Sequence, residues 1–154
     1  MSFTIAPADF SSPALRAFLQ AHLDDMESTA PPESRHALDL TGLQKPGVRL
    51  WVALDGDAVI GTAALAPVEP GWEELKSMRT APDRRGEGIA ARMLEHVLAD
   101  AAARGIGRIS LETGSPEFFA PARRLYAKHG FAVCEPFGAY VLDPNSVYMT
   151  RGLA

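Results

Sequence analysis

The chain has 154 residues, 47% hydrophobic and 22% charged, with a formal net charge of -4 and one cysteine. That balance suits one domain over 1–154 with a continuous core and excludes a disordered or fibrous chain, an internal disulfide or a thiolate zinc site. An acidic chain also lacks the basic surface that nucleic-acid binding needs, and no apolar run nears the ~18 residues of a membrane span, so a cytoplasmic protein that binds neither is expected.

In chain order, residues 2–6 read as a short edge strand. Ser11 or Ser12 can cap a helix with Pro13 in its first turn. Leu15, Phe18, Leu19, Leu23 and Met26 recur at three- and four-residue spacing, which gives that helix one buried stripe to about Met26. Pro31-Pro32 breaks the chain, Glu33–Leu40 is expected as a short second helix, and 42–47 as loop. Val48–Leu54 and Ala58–Val68 read as strands joined by a tight turn at Asp55-Gly56-Asp57, and Pro70-Gly71 turns the chain into a third strand, 73–80.

A long helix is expected from about Gly86 to Arg104, with Ile89, Met93, Leu94, Val97, Leu98 and Ala101 on one face and Gly105 ending it. Arg108–Glu112 reads as a strand, 113–119 as loop, and 121–129 as a helix stopped by Gly130. Strands at 131–135 and 147–151 then flank a loop rich in aromatics and proline. The order predicts an α/β (α+β) fold with a mixed, mostly antiparallel central sheet and helices on both faces. Cys134, in a strand-like run without an activating charge at helical spacing, reads as a half-buried thiol.

The stretch Arg84-Arg85-Gly86-Glu87-Gly88-Ile89-Ala90 joins strand to helix. Two glycines allow close backbone approach to an anion, the helix start adds its positive end, and the arginines can reach phosphate oxygens. It is neither Gly-x-Gly-x-x-Gly nor a P-loop. A bare Gly-x-Gly is equally an ordinary turn before a helix.

Read as Arg85-x-x-Gly88-x-Ala90, the stretch resembles the Arg/Gln-x-x-Gly-x-Gly/Ala motif of the GNAT superfamily of acyl-CoA N-acyltransferases. Glu74 to Pro82 resembles that family's fourth strand, and Leu125-Tyr126-Ala-Lys-His-Gly130-Phe131 its later helix and strand. Ala30 to Leu40, with Glu135 to Tyr140 and Asp143 to Ser146, is similar to a bacterial subgroup of little-defined substrates. The resemblance implies a GNAT-like sheet and acetyl-CoA as acyl donor, without a metal. Coenzyme A would be held by Met78, Arg79 and Thr80 through the backbone, by the turn Arg85, Gly86, Glu87, Gly88, Ile89 and Ala90, and by Tyr126.

Two catalytic residues follow from the same resemblance. Glu74 precedes Gly88 by the interval at which the histone-modifying branch places its base, and a carboxylate there can take the proton of an ammonium acceptor. It is equally a solvent-facing strand residue. Tyr126 matches the tyrosine whose hydroxyl meets the departing thiolate. Phe119 stands where many relatives have an asparagine that meets the cofactor.

Ser34, His36, Glu112 and Tyr140 are the polar candidates for the acceptor pocket. The expected activity is direct transfer of an acetyl group to the primary amine of a small molecule. A non-catalytic acyl-CoA-binding module and a protein or peptide N-acetyltransferase are the alternatives, and assembly as a homodimer is left open.

Overall fold

The computed structural model describes residues 3–29 and 40–153. Seven strands, β1 (Thr4–Pro7), β2 (Arg49–Asp55), β3 (Ala58–Glu69), β4 (Trp72–Thr80), β5 (Arg108–Gly114), β6 (Ala132–Cys134) and β7 (Ser146–Gly152), form one sheet in the order β1-β2-β3-β4-β5-β7-β6. Only β4 and β5 run parallel. The helices are α1 (Pro13–Thr29), α2 (Leu40–Leu43), α3 (Ile89–Ala103) and α4 (Ala120–Lys128). The mixed, mostly antiparallel sheet is the one expected.

The first two hairpins follow from their turns. Asp55 pairs with Ala58 across Gly56-Asp57, and Glu69 with Trp72 across Pro70-Gly71, with Gly56 and Gly71 at φ 61° and 79°. Alternation along β2 sends Trp51 and Ala53 to one core and Leu50 and Val52 to the other. The first core packs against the apolar stripe of α3, Ile89 to Ala101, which matches the spacing in the sequence, and takes in Tyr126 and Phe131. The second packs Leu15 and Leu19 of α1 and Leu43 of α2 on Leu50, Val52 and Ala64. Helices therefore cover both faces.

The boundaries differ in places. Ser12, not Ser11, caps α1: its Oγ accepts the Leu15 N–H at 3.3 Å, while Ser11 bonds Asp9. α2 enters the stretch expected as loop because Leu43, 2% exposed, is drawn into the second core. The expected helix 33–40 lies, except for Leu40, outside the described residues. α3 starts at Ile89 rather than Gly86, since Gly86 and Gly88 sit at φ 82° and 80°, outside helical space. β5 continues to Gly114 because β7 pairs with it that far.

Candidate active site

β4 and β5 pair only from Trp72↔Arg108 to Leu75↔Leu111. Beyond Leu75 the two strands part. The cause lies in β4: its register with β3 shifts between Thr62 and Ala64, and Ser77 takes φ 53°, a strained value for a residue with a side chain. The buried Thr62 hydroxyl holds this bulge by donating to the Ser77 carbonyl at 2.8 Å. The edge of Met78–Thr80 turned away from β3 is thereby left facing a cleft of about 520 Å³.

At one end of that cleft lies the turn 84–90. Gly88 precedes α3 in the left-handed region, and a Cβ on Gly86 or Gly88 would meet open space, so a ligand can approach the backbone there. The two arginines have separate tasks. Arg84 braces the turn, its guanidinium donating to Glu87 at 3.1 Å and to Asp55 at 3.0 Å. Arg85 is exposed, lines the cleft and lies 5.9 Å from the Phe118 ring, and among the described residues it has no carboxylate partner. Met78, Arg79, Thr80, Arg85, Gly86, Gly88, Ile89, Ala90 and Tyr126 all line the cleft. Glu87 does not, because its carboxylate is turned onto Arg84.

Tyr126 reaches the cleft from α4, buried at 6% exposure against Phe131. Burial pushes its hydroxyl up from the ordinary tyrosine value, and the Glu112 charge adds to this. Phe119, in the asparagine place, lays its ring on Gly114, where a Cβ would collide with it. Arg123 fixes that loop by donating to the Gly114 and Pro116 carbonyls.

At the parting of the strands, a second cluster gathers on the face opposite α3. Glu74 Oε2 accepts from the Tyr140 hydroxyl at 2.5 Å and from Lys76 Nζ at 3.1 Å, while Lys76 also reaches the Tyr140 oxygen at 2.9 Å. Tyr140 packs on Phe137 and Tyr148, so the aromatic loop covers this part of the sheet. Glu112 is the first β5 residue past the last β4 pair and stands opposite Tyr148. Burial pushes its carboxyl up to about 7, against the lowering effect of the Ser146 hydroxyl and Lys76; Glu74 and Asp143 push the same way as burial. The Ser146 hydroxyl is near enough to act on Glu112, yet it is buried without a hydrogen bond of ordinary geometry.

Glu74, Glu112 and Tyr140, chosen separately in the sequence, are thus neighbours. Ser34 and His36 lie outside the described residues. Lys76, Ser146, His22 and Asp25 are functional candidates that the sequence reading passed over. Lys76 was within reach of it, being on the same strand face as Glu74. Phe18, His22 and Asp25 recur at four- and three-residue spacing, a second stripe of α1 beside the apolar one, and this stripe meets Arg79: its Nη1 is 2.6 Å from Asp25 and 3.5 Å from His22 Nδ1, and the Phe18 ring lies 5.5 Å from the guanidinium.

A sheet opened between its two parallel strands, with a glycine turn and helix start at the mouth, leaves a cleft that can take a phosphorylated ligand. The chain belongs to the acetyltransferase (GNAT) family, whose model matches residues 15–131. It is 43% identical over 151 residues to the uncharacterized N-acetyltransferase YedL of Escherichia coli (strain K12), covering 98% of this chain and 95% of that one. It is 42% identical over 124 residues to an IAA acetyltransferase of Azospirillum brasilense, covering 80% of each. Among solved structures it resembles a candidate acyl-CoA N-acyltransferase of Klebsiella pneumoniae, with a TM-score of 0.81 at 27% identity over 99% of this chain and 98% of that one. Members of this family use acetyl-CoA as donor.

Proposed function

We propose that the chain is a single-domain, cytoplasmic N-acetyltransferase that moves the acetyl group of acetyl-CoA directly to the primary amine of a small molecule. The parting of β4 from β5 carries this reading: it leaves the Met78–Thr80 backbone facing a cleft that runs from the glycine turn to Tyr126. The residues fit the donor. The turn and Arg85 receive the pyrophosphate, and a β4 N–H polarises the thioester carbonyl.

Transfer requires the amine to lose a proton, attack the carbonyl carbon, and expel the thiolate as the C–N bond replaces the C–S bond. Tyr126, kept a phenol by burial, gives its proton to the departing sulfur. Two carboxylates can accept the ammonium proton. Glu74 already receives Tyr140 and Lys76 on one oxygen, whereas Glu112 stands at the opening itself with a carboxyl that exchanges protons near neutral pH. Glu112 is therefore assigned the base, and Glu74 holds Tyr140 over the acceptor. Ser34 and His36, outside the described residues, are proposed as acceptor-binding residues on the likeness of 30–40 to the bacterial subgroup.

A screen of acetyl-CoA consumption over amino acids, polyamines, aminoglycosides and peptides tests the reading. Turnover of a small amine is expected. Turnover of peptides alone would establish the protein-directed alternative, and tight acetyl-CoA binding without any turnover would establish a sensing module.

A further inference from the structure

Arg79 carries a feature that donor binding through the backbone does not use. Its side chain is 10% exposed, yet its ion-pair partner among the described residues, Asp25, is 54% exposed on the rim of α1. The Nε is buried and has no hydrogen-bond partner among the described residues. A withdrawn donor left unpaired costs free energy, so its persistence calls for an explanation. His22 supplies no counter-charge: burial first, and then the Arg79 charge, push it down to about 4 despite Asp25, so near neutral pH it is an uncharged ring that can only accept from the guanidinium.

An ion pair between a withdrawn guanidinium and an exposed carboxylate is weak, because water competes for the carboxylate. Asp25, 54% exposed, keeps water as a competing partner for its carboxylate. All three residues line the cleft, and the Phe18 ring fixes the plane of the guanidinium. Planar guanidinium recognises a carboxylate through paired hydrogen bonds, and the Arg79 Nε, unpartnered among the described residues, is open to one of them.

The placement of charge supports an acceptor with two ends. Arg79 pairs with Thr62 and Lys76 with Ala64, residues whose side chains lie on the α1 face, and Glu74 and Glu112 interact with Lys76 there. A cation and a proton-accepting carboxylate thus share one face of the opened sheet. We propose that the acceptor is an amine that also bears a carboxylate, and that Arg79 binds that carboxylate by exchanging it for Asp25. This rests on the N-acetyltransferase reading and deepens it.

The test compares amino acids with their carboxamides, which present the same amine without the negative charge. Wild type is expected to favour at least one acid over its amide by tenfold or more in kcat/KM. Arg79→Gln should bring that ratio to within about twofold, and Arg79→Lys should retain part of it. Asp25→Asn should lower KM for the acid, since the internal competitor is gone; a purely structural clamp would give no such gain, and this variant decides the matter if the Arg79 variants fold poorly. Wild type that acetylates amides or diamines as well as acids, or no acid at all, overturns the proposal. So does an Arg79→Gln protein that loses acetyl-CoA affinity by calorimetry while keeping the acid preference. Failure of wild type to bind acetyl-CoA would instead overturn the transferase reading.

Discussion

In the proposed reaction Tyr126 and Glu112 divide the proton traffic, and each should leave a distinct kinetic trace. Tyr126→Phe keeps the ring that packs on Phe131 and removes only the hydroxyl, so KM for acetyl-CoA should hold while kcat falls about 100-fold or more where chemistry limits the rate. Unchanged turnover would remove Tyr126 from the mechanism. Glu112 is a base only when ionised, so with its carboxyl near 7 the wild-type rate should fall as pH drops through neutrality. Glu112→Gln should abolish that limb and recover part of its rate at high pH, where free amine exists unaided. The same residue bears on stability. Between its ordinary 4.5 and about 7 the folded state holds the proton that the unfolded state has released, so stability falls as pH rises across that window. Glu112→Gln should therefore be the more stable protein above pH 7, by an amount on the order of 2–3 kcal/mol at most, and equal to wild type near pH 4. A denaturation series at both pH values reads this.

At the scale of elements, α1 and β4 are tied by Arg79, Asp25 and His22. A histidine held near 4 has the opposite sign: below its ordinary 6.5 the unfolded chain takes up the proton first, so stability falls as pH drops from 6.5 towards 4. His22→Gln should flatten that loss in a melting series, and an equally steep loss would mean that the ring is not withdrawn from water. How far such elements were legible depends on range. The hairpin turns, the stripe of α3 and the glycine turn were readable because each is set by neighbours within a few residues. The start of α3 was not, since it depends on the φ of Gly86 and Gly88. The bulge at Ser77 was also invisible: nothing local marks it, and the buried Thr62 hydroxyl fifteen residues away holds it. The tie between α1 and Arg79 joins residues 54 positions apart by number, and the spacing of Phe18, His22 and Asp25 on α1 does not say which strand that stripe will meet.

For the molecule as a whole, the proposed function rests on where the parallel pair of strands ends. Six strand pairs build the sheet, and the only parallel pair stops after four residues, which opens the centre of the sheet where a continuous ladder would have closed it. In the proposed reaction the donor enters past Arg85 and Gly88, and the acceptor from the side that carries Glu74, Glu112 and Tyr140. The likeness in sequence bears on the proposed donor half because a short motif carries it. The proposed acceptor half draws on α1, β4, β5 and the 135–146 loop, so its chemistry emerges only with the fold. The most direct measurement is calorimetry of acetyl-CoA with wild type and Gly88→Asp. Aspartate tolerates the positive φ of that position better than most residues and its Cβ meets open space, so the variant should fold with unchanged circular dichroism. It places a carboxylate against the donor's phosphates. The account predicts that wild type binds and that the folded variant does not, whereas wild-type-like affinity in Gly88→Asp would contradict a donor seated on this turn.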